Sequence, residues 1–66
     1  MDGLAERIRE RRRSLDLNQL ELAQLSGTSE RFIRELEHGK TSVRLDKLLA
    51  VLTTLGLELT TVARGR

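Results

Sequence analysis

Four small or apolar residues in the middle of the chain have the spacing that two short helices around a tight turn require. Ala23, Gly27, Ile33 and Leu36 follow one another at intervals of four, six and three residues. Helices that meet steeply need a small residue at their contact, a glycine at the turn and apolar residues that hold the second helix against the first. The spacing by itself fits either a DNA-binding pair of helices or an ordinary helical hairpin.

Capping patterns and glycines divide the chain into four predicted helices. Asn18 and Glu21 have the spacing of a capping box before the second helix, and Ser29 is the expected N-cap of the third. Gly27 and Gly39 follow these two helices, where a left-handed residue commonly ends a helix. The predicted helices cover residues 4–15, 19–26, 30 to 36 or 37, and 45–55, with a loop over residues 38–44.

Apolar residues at helical spacing define the expected core. Phe32 is expected to pack beside Ile33, and Gly56 is expected to stop the fourth helix. The arginines from Arg7 to Arg13 surround the apolar stripe of the first helix and are expected to form a solvated face, some of which contacts phosphate. The residues predicted to face inward are Leu4, Ile8, Leu15, Leu22, Ala23, Leu25, Ile33, Leu36, Leu45, Leu48, Leu49, Leu52 and Leu55.

The hydrophobic period changes after Gly56. The next six residues alternate and include β-branched side chains, which predicts a short strand. A single strand is not stable alone, so its expected mate is the same segment of a second copy, across a twofold axis; a frayed tail is the alternative. The predicted domain therefore covers residues 1–56, and residues 57–66 form a dimerisation strand and tail. The predicted dimerisation residues are Leu57, Glu58, Leu59, Thr60, Thr61 and Val62.

Composition excludes several classes of function. The chain has 66 residues, no cysteine and a single histidine, His38, so we expect no disulfide, no metal site and no cofactor. A domain this small encloses too little volume for a catalytic pocket, and an enzyme is not expected. The chain lacks both an apolar run of the ~18 residues that a membrane span requires and a signal peptide, so a cytoplasmic protein without membrane contact is expected.

The net charge is only +2, but the kind of cation favours double-stranded nucleic acid as a partner. Ten of the twelve cationic residues are arginines and the pI is about 9.9; arginine suits bidentate contacts with phosphate and guanine. Phe32 is the only aromatic residue, whereas proteins that bind single strands stack bases on several aromatic rings.

One continuous part of the chain resembles a known family. The residues Asn18-Gln19-Leu20-Glu21-Leu22-Ala23-Gln24-Leu25-Ser26-Gly27-Thr28-Ser29, continuing from Ile33 to Thr41, resemble the helix-turn-helix domains of lambdoid repressors and Xre-type regulators, over about residues 4–57. Within that superfamily, the stretches 39–47 and 55–59 resemble HipB-type antitoxins. This resemblance implies an all-α domain of four or five helices with a C-terminal strand that pairs across a homodimer. It also implies repression of the chain's own operon and binding of a HipA-type Ser/Thr kinase toxin.

The resemblance also implies which residues contact double-stranded operator DNA. The residues expected at phosphates are Gln19, Ser29, Lys40 and Thr41, and those expected at base edges in the major groove are Ser29, Glu30, Arg31, Arg34 and Glu35. Arginine can bind guanine and glutamate can accept from cytosine. Glu30–Arg34 and Arg31–Glu35 are also i,i+4 pairs, however, and such pairs can neutralise each other on a solvated face. His38 is expected to cap the end of the third helix.

Two functions of other kinds fit the same sequence. The chain can be a stand-alone Xre-type regulator or phage repressor with no toxin partner. Alternatively, it can be a protein-interaction module whose main target is a kinase, bound by the C-terminal strand and the outer face of the fourth helix.

Overall fold

Residues 3–60 are described by a computed structural model. In this range the chain forms four α-helices: α1 (Leu4–Ser14), α2 (Gln19–Ser26), α3 (Glu30–Glu37) and α4 (Leu45–Thr54). The predicted all-α class is confirmed for these residues, and the predicted helix ends are correct to within one residue. None of the helices described is long and apolar enough to cross a membrane.

Local hydrogen bonds explain why α2 begins and ends where it does. The Asn18 side chain accepts from the backbone N–H of Glu21 at 2.7 Å, and the Glu21 carboxylate accepts from the backbone N–H of Asn18 at 2.8 Å. This is the predicted capping box. At the other end Gly27 has a φ of 72°, and the N–H of Thr28 donates back to the carbonyl of Ala23 at 2.9 Å. The left-handed glycine therefore closes α2 and turns the chain toward α3.

The core is a narrow apolar stripe shared by all four helices. Helix α2 packs against α3 and α4, and α1 packs against α3. Ala23 lies in this core as its spacing predicted, and Phe32 packs against the edge of the core. The buried apolar residues are Ile8, Leu22, Ala23, Ile33, Leu36, Leu48, Val51, Leu52 and Leu55.

Four leucines that the helical spacing placed in the core are exposed instead. The exposed fractions of Leu25 and Leu45 are 64% and 59%, and Leu15 and Leu49 are each 41% exposed. Leu25, Leu45 and Leu49 lie beside the buried residues of their helices, which are Leu22 and Ala23 in α2 and Leu48, Val51 and Leu52 in α4. Leu15 follows the last residue of α1. Four exposed leucines leave apolar surface on the outside of the domain.

An ion pair between α1 and α3 corrects the prediction that places Arg12 on the solvated face of α1. Arg12 donates from Nε and Nη2 to the two carboxylate oxygens of Glu37, at 2.6 and 3.0 Å. Their side chains are only 10% and 3% exposed. Two neighbouring arginines also form hydrogen bonds to the backbone at the ends of other helices. Arg9 donates to the carbonyl of Glu37 and Arg11 donates to the carbonyl of Leu55, both at 2.8 Å.

The segment after α4 begins as part of the helix end. Gly56 has a φ of 72°, the N–H of Leu57 donates to the carbonyl of Leu52 at 2.8 Å, and Leu57 packs against the core. Residues 57–60 form no strand within this single chain, and Thr61 and Val62 lie outside the described residues. Because the predicted strand requires a second copy, its pairing stays a prediction, but Leu57 contributes to the core of its own chain.

We expect Glu37→Gln to lower the free energy of unfolding by about 3 kcal/mol, because it leaves the buried charge of Arg12 without a counter-charge. Urea denaturation at neutral pH measures the change. Glu10→Gln, an exposed position of α1, is the control and should change stability by less than about 0.5 kcal/mol. A loss at Glu37 no larger than that of the control would contradict a stabilising role for the buried pair.

The same pair predicts how stability depends on pH. Burial raises the pKa of the Glu37 carboxyl, but the hydrogen bonds from Arg12 and Gln19 and the charges of Arg12 and Arg9 outweigh burial, so its pKa lies below the ordinary 4.5. A lowered pKa in the folded state gives stability that is present above pH 4.5 and is lost as the pH falls through the folded-state pKa. The stability difference between wild type and Glu37→Gln should therefore narrow in acid. A difference that stays constant to the acid limit of folding would count against this assignment.

Candidate nucleic-acid interface

The outer face of α3 carries most of the residues that the sequence predicted at base edges. Ile33 and Leu36 are buried on the inner face. Glu30, Arg31 and Arg34 are exposed on the outer face, and the side chain of Arg31 is 82% exposed. The first turn of α3 therefore faces away from the body of its own chain, as an element that enters a DNA groove must.

Ser29 holds the start of α3. Its Oγ accepts from the backbone N–H of Phe32 at 3.1 Å, which is the predicted N-cap. The cap uses the hydroxyl as an acceptor, so its O–H hydrogen remains able to donate to an oxygen outside the protein. The exposed position of Ser29 is compatible with both contacts that the sequence predicted for it, to phosphate and to a base edge.

Gln19 lies at the first position of α2, and a hydrogen bond to α3 holds its side chain in place. Its Nε2 donates to Glu37 Oε1 at 3.2 Å, so the buried carboxylate that pairs with Arg12 also orients this amide. Gln19 and Glu30 line one shallow groove where α1, α2 and α3 meet, together with Arg13 and His38. The structure thus brings the predicted phosphate contact of α2 next to the first turn of α3.

Sequence analysis missed Arg12 and Glu37, which position Gln19. A signal for both was present, since Arg12 follows Ile8 and Glu37 follows Ile33 by four residues, and each therefore lies on the apolar stripe of its helix. Opposite charges on two apolar stripes indicate a buried pair when the two helices pack together.

The loop after α3 carries the remaining predicted phosphate contacts. His38 ends α3, and its Nδ1 lies 2.9 Å from the Arg34 carbonyl, which accepts from the ring N–H; the predicted capping role is confirmed. Lys40 donates from Nζ to Glu35 Oε1 at 3.4 Å. Thr41 is exposed and lines a second shallow groove, between this loop and the start of α1.

The charges on α3 are partly paired with each other. Arg31 Nε donates to Glu35 Oε2 at 3.3 Å, so one of the two predicted i,i+4 pairs forms. The other, Glu30 with Arg34, is not among the ion pairs of residues 3–60. The hydrogen bond from Lys40, together with Arg31, holds the pKa of the Glu35 carboxyl below its ordinary range.

These elements match a known family. The family model described as Helix-turn-helix covers residues 8–62, which is most of the chain. The chain belongs to the helix-turn-helix family. Within this family its fold is of the Xre and lambda-repressor type, to which the sequence resemblance also pointed.

This helix-turn-helix chain is similar to a relative in sequence and to a solved structure. It is 43% identical over 54 residues to the uncharacterized HTH-type transcriptional regulator y4mF of Sinorhizobium fredii, a match that covers 82% of this chain and 71% of that protein. It is also similar in structure to the P22 c2 repressor, which was solved in complex with synthetic operator 9T, with a TM-score of 0.78 and 31% identity over 88% of each chain. The four-helix fold is thus similar to that of the P22 c2 repressor.

We expect Ser29→Ala to lower the free energy of unfolding by about 1 kcal/mol, because the N-cap of α3 is lost. Ser29→Asp keeps an acceptor at the same place and should retain wild-type stability. Urea denaturation of both variants tests the assignment. Equal stability of all three proteins would show that the bond from Phe32 does not cap the helix.

Proposed function

We propose that this chain is a transcriptional repressor that binds double-stranded operator DNA in a sequence-specific manner, as a homodimer in the bacterial cytoplasm. The observation that supports it most is the outer face of α3, where Glu30, Arg31 and Arg34 are exposed together. Gln19 at the start of α2 and Lys40 after α3 flank this face. The P22 c2 repressor, which has a similar fold, was solved with its operator.

Base contacts are assigned to the outer face of α3. Arg31 and Arg34 can donate to O6 and N7 of guanine, and Glu30 can accept from N4 of cytosine, in the major groove. Ser29 and Glu35 complete the set at the first turn and one turn further on. Each bidentate arginine contact discriminates against a wrong base by about 1–3 kcal/mol.

Phosphate contacts are assigned to Gln19, Ser29, Lys40 and Thr41, on both sides of α3. The amide nitrogen of Gln19 carries two hydrogens; one is directed at Glu37, and the second can donate to a phosphate oxygen. Such contacts fix the register of a protein on the duplex and carry no direct sequence information.

Dimerisation is assigned to residues 57–62, where two copies would pair as antiparallel strands. Leu59 is 44% exposed, so an apolar side chain of this segment is open to a second subunit. A second subunit would also supply buried surface that a domain of this size lacks.

A narrower proposal is that the chain is the antitoxin of a HipBA-type pair, which represses its own operon and binds a HipA-type kinase. It rests on the resemblance of residues 39–47 and 55–59 to HipB-type antitoxins and on Leu45 and Leu49, which leave apolar surface exposed on α4. A HipA-like kinase gene beside the gene of this chain, and co-purification of the two products, would support it. If co-expression gives no complex, a stand-alone regulator is favoured.

We expect Arg31→Ala to weaken operator binding by about 1–3 kcal/mol while leaving binding to unrelated duplex nearly unchanged, because the lost contact is to a base. Footprinting on the chain's own promoter region identifies the operator, with half-sites about 10–11 base pairs apart, and fluorescence anisotropy measures the affinities. Arg44→Ala removes the same charge outside α3 and is the control.

Salt dependence tests the proposal as a whole. The logarithm of the binding constant should fall with the logarithm of salt concentration, with a slope near −0.9 per phosphate neutralised. A flat response, or equal loss on operator and unrelated duplex in Arg31→Ala, would reject sequence-specific binding through α3.

We expect Leu59→Pro to convert the dimer into a monomer, because proline cannot donate a ladder hydrogen bond. Analytical ultracentrifugation of wild type, Leu59→Pro and the strand-compatible control Leu59→Val measures the effect. Dimerisation that survives the proline would place the interface elsewhere.

A further inference from the structure

Glu35 lies between two cations that have different proposed roles. Its Oε2 lies 3.3 Å from Arg31 Nε, and its Oε1 lies 3.4 Å from Lys40 Nζ. Arg31 is assigned to a base edge and Lys40 to phosphate, so one carboxylate contacts a side chain of each class. For Glu35, sequence analysis considered only one ion pair, with Arg31. It expected Lys40 to contact phosphate and named no protein side chain as its partner.

The backbone fixes Lys40 in this position. Gly39 has a φ of 86°, a left-handed conformation that reverses the chain at the end of α3. The N–H of Lys40 then donates to the Glu35 carbonyl at 3.1 Å. Lys40 is therefore joined to Glu35 through its backbone as well as through its ammonium group, and it stays close to the carboxylate while its side chain can still rotate.

A carboxylate on a helix that faces DNA is repelled by the phosphates, which weakens binding unless another contact compensates for the repulsion. On unrelated DNA, a phosphate that takes the ammonium group of Lys40 leaves Glu35 with only Arg31 as a counter-charge. At the operator, the Lys40–Glu35 ion pair is lost in the same way. There, however, Glu35 still orients the guanidinium of Arg31 toward a base, and this contact offsets the loss. The carboxylate therefore disfavours binding to wrong sequences more than binding to the right one, which is one of the ways that specificity arises.

We propose, building on the proposed function, that Glu35 is a positioning residue that sets sequence specificity: it pairs with Lys40 in the DNA-free protein and orients Arg31 once Lys40 has moved to phosphate.

The test compares wild type, Glu35→Gln, Lys40→Met and the double variant, each on the footprinted promoter segment and on a scrambled duplex of the same length and composition, at one salt concentration. Glu35→Gln should bind the scrambled duplex about threefold more tightly, the range expected for loss of an exposed ion pair, and its ratio of specific to scrambled affinity should fall by a similar factor. In the Lys40→Met background the gain on scrambled duplex should largely disappear.

Glu30→Gln on the same helix is the charge-matched control for the scrambled duplex alone, because Glu30 forms no ion pair within residues 3–60 but is itself assigned to a base edge at the operator. It reports the effect of removing one negative charge from the DNA-facing side. The proposal is overturned if Glu35→Gln gains the same factor with and without Lys40, or if its ratio of specific to scrambled affinity does not change. If wild type shows no salt-dependent binding at all, the proposed function itself fails and this inference with it, a result distinct from the other two.

Discussion

The buried carboxylate of Glu37 connects three helices, and the relative positions of α1, α2 and α3 depend on it. Arg12 of α1 donates two hydrogen bonds to it, and Gln19 of α2 donates a third. Arg12 also donates to the carbonyl of Leu17 at 2.8 Å, in the turn between α1 and α2. Helices of eight residues, such as α2 and α3, are not stable alone, so their orientation must come from tertiary contacts. An apolar pair at these positions could stabilise the domain as well as or better than an ion pair, but it could not hold a polar amide at the surface. The Glu37 carboxylate connects α1 to α3 through Arg12 and also accepts a hydrogen bond from Gln19 of the candidate interface.

The electrostatics of this interface are mixed rather than uniformly positive. The net charge is only +2, and acidic residues occupy two positions on the outer part of α3, Glu30 and Glu35. A uniformly basic face would favour every DNA sequence alike, since phosphate attraction is the same for all of them. Carboxylates within the face oppose that general attraction, and the bases or cations that neutralise them determine where binding is favourable. In the proposed repressor, a small electrostatic attraction would combine with directional side-chain contacts, a combination suited to discrimination more than to affinity.

The helices and their caps could be predicted from sequence because the interactions that define them are local. Asn18 with Glu21, and Ser29 with Phe32, lie within one turn of each other, and Gly27 needs only its own backbone conformation. The exposure of Leu25 and Leu45 could not be predicted in the same way, because helical spacing gives the direction of a side chain but not whether another helix lies opposite. The Arg12–Glu37 pair likewise depends on the packing of α1 against α3. For the candidate interface, the residues on α3 were predicted from the family resemblance. The hydrogen bond between Gln19 and Glu37 and the ion pair between Lys40 and Glu35 were found only in the structure.

A continuous series of contacts through α4 and α2 connects the proposed dimer segment to the outer face of α3. Leu57 bonds to Leu52 and packs on the core, α4 packs on α2, and Gln19 of α2 bonds to Glu37 at the end of α3. A twofold repressor must present its two recognition helices at a fixed separation, because the half-sites of its operator are set by the helical repeat of DNA. A flexible connection anywhere along this series of contacts would let that separation vary and would weaken discrimination between spacings. The role of Leu57 follows from this: as part of the core and the first residue of the pairing segment, it would transmit the position of the dimer axis to α4 without an intervening linker.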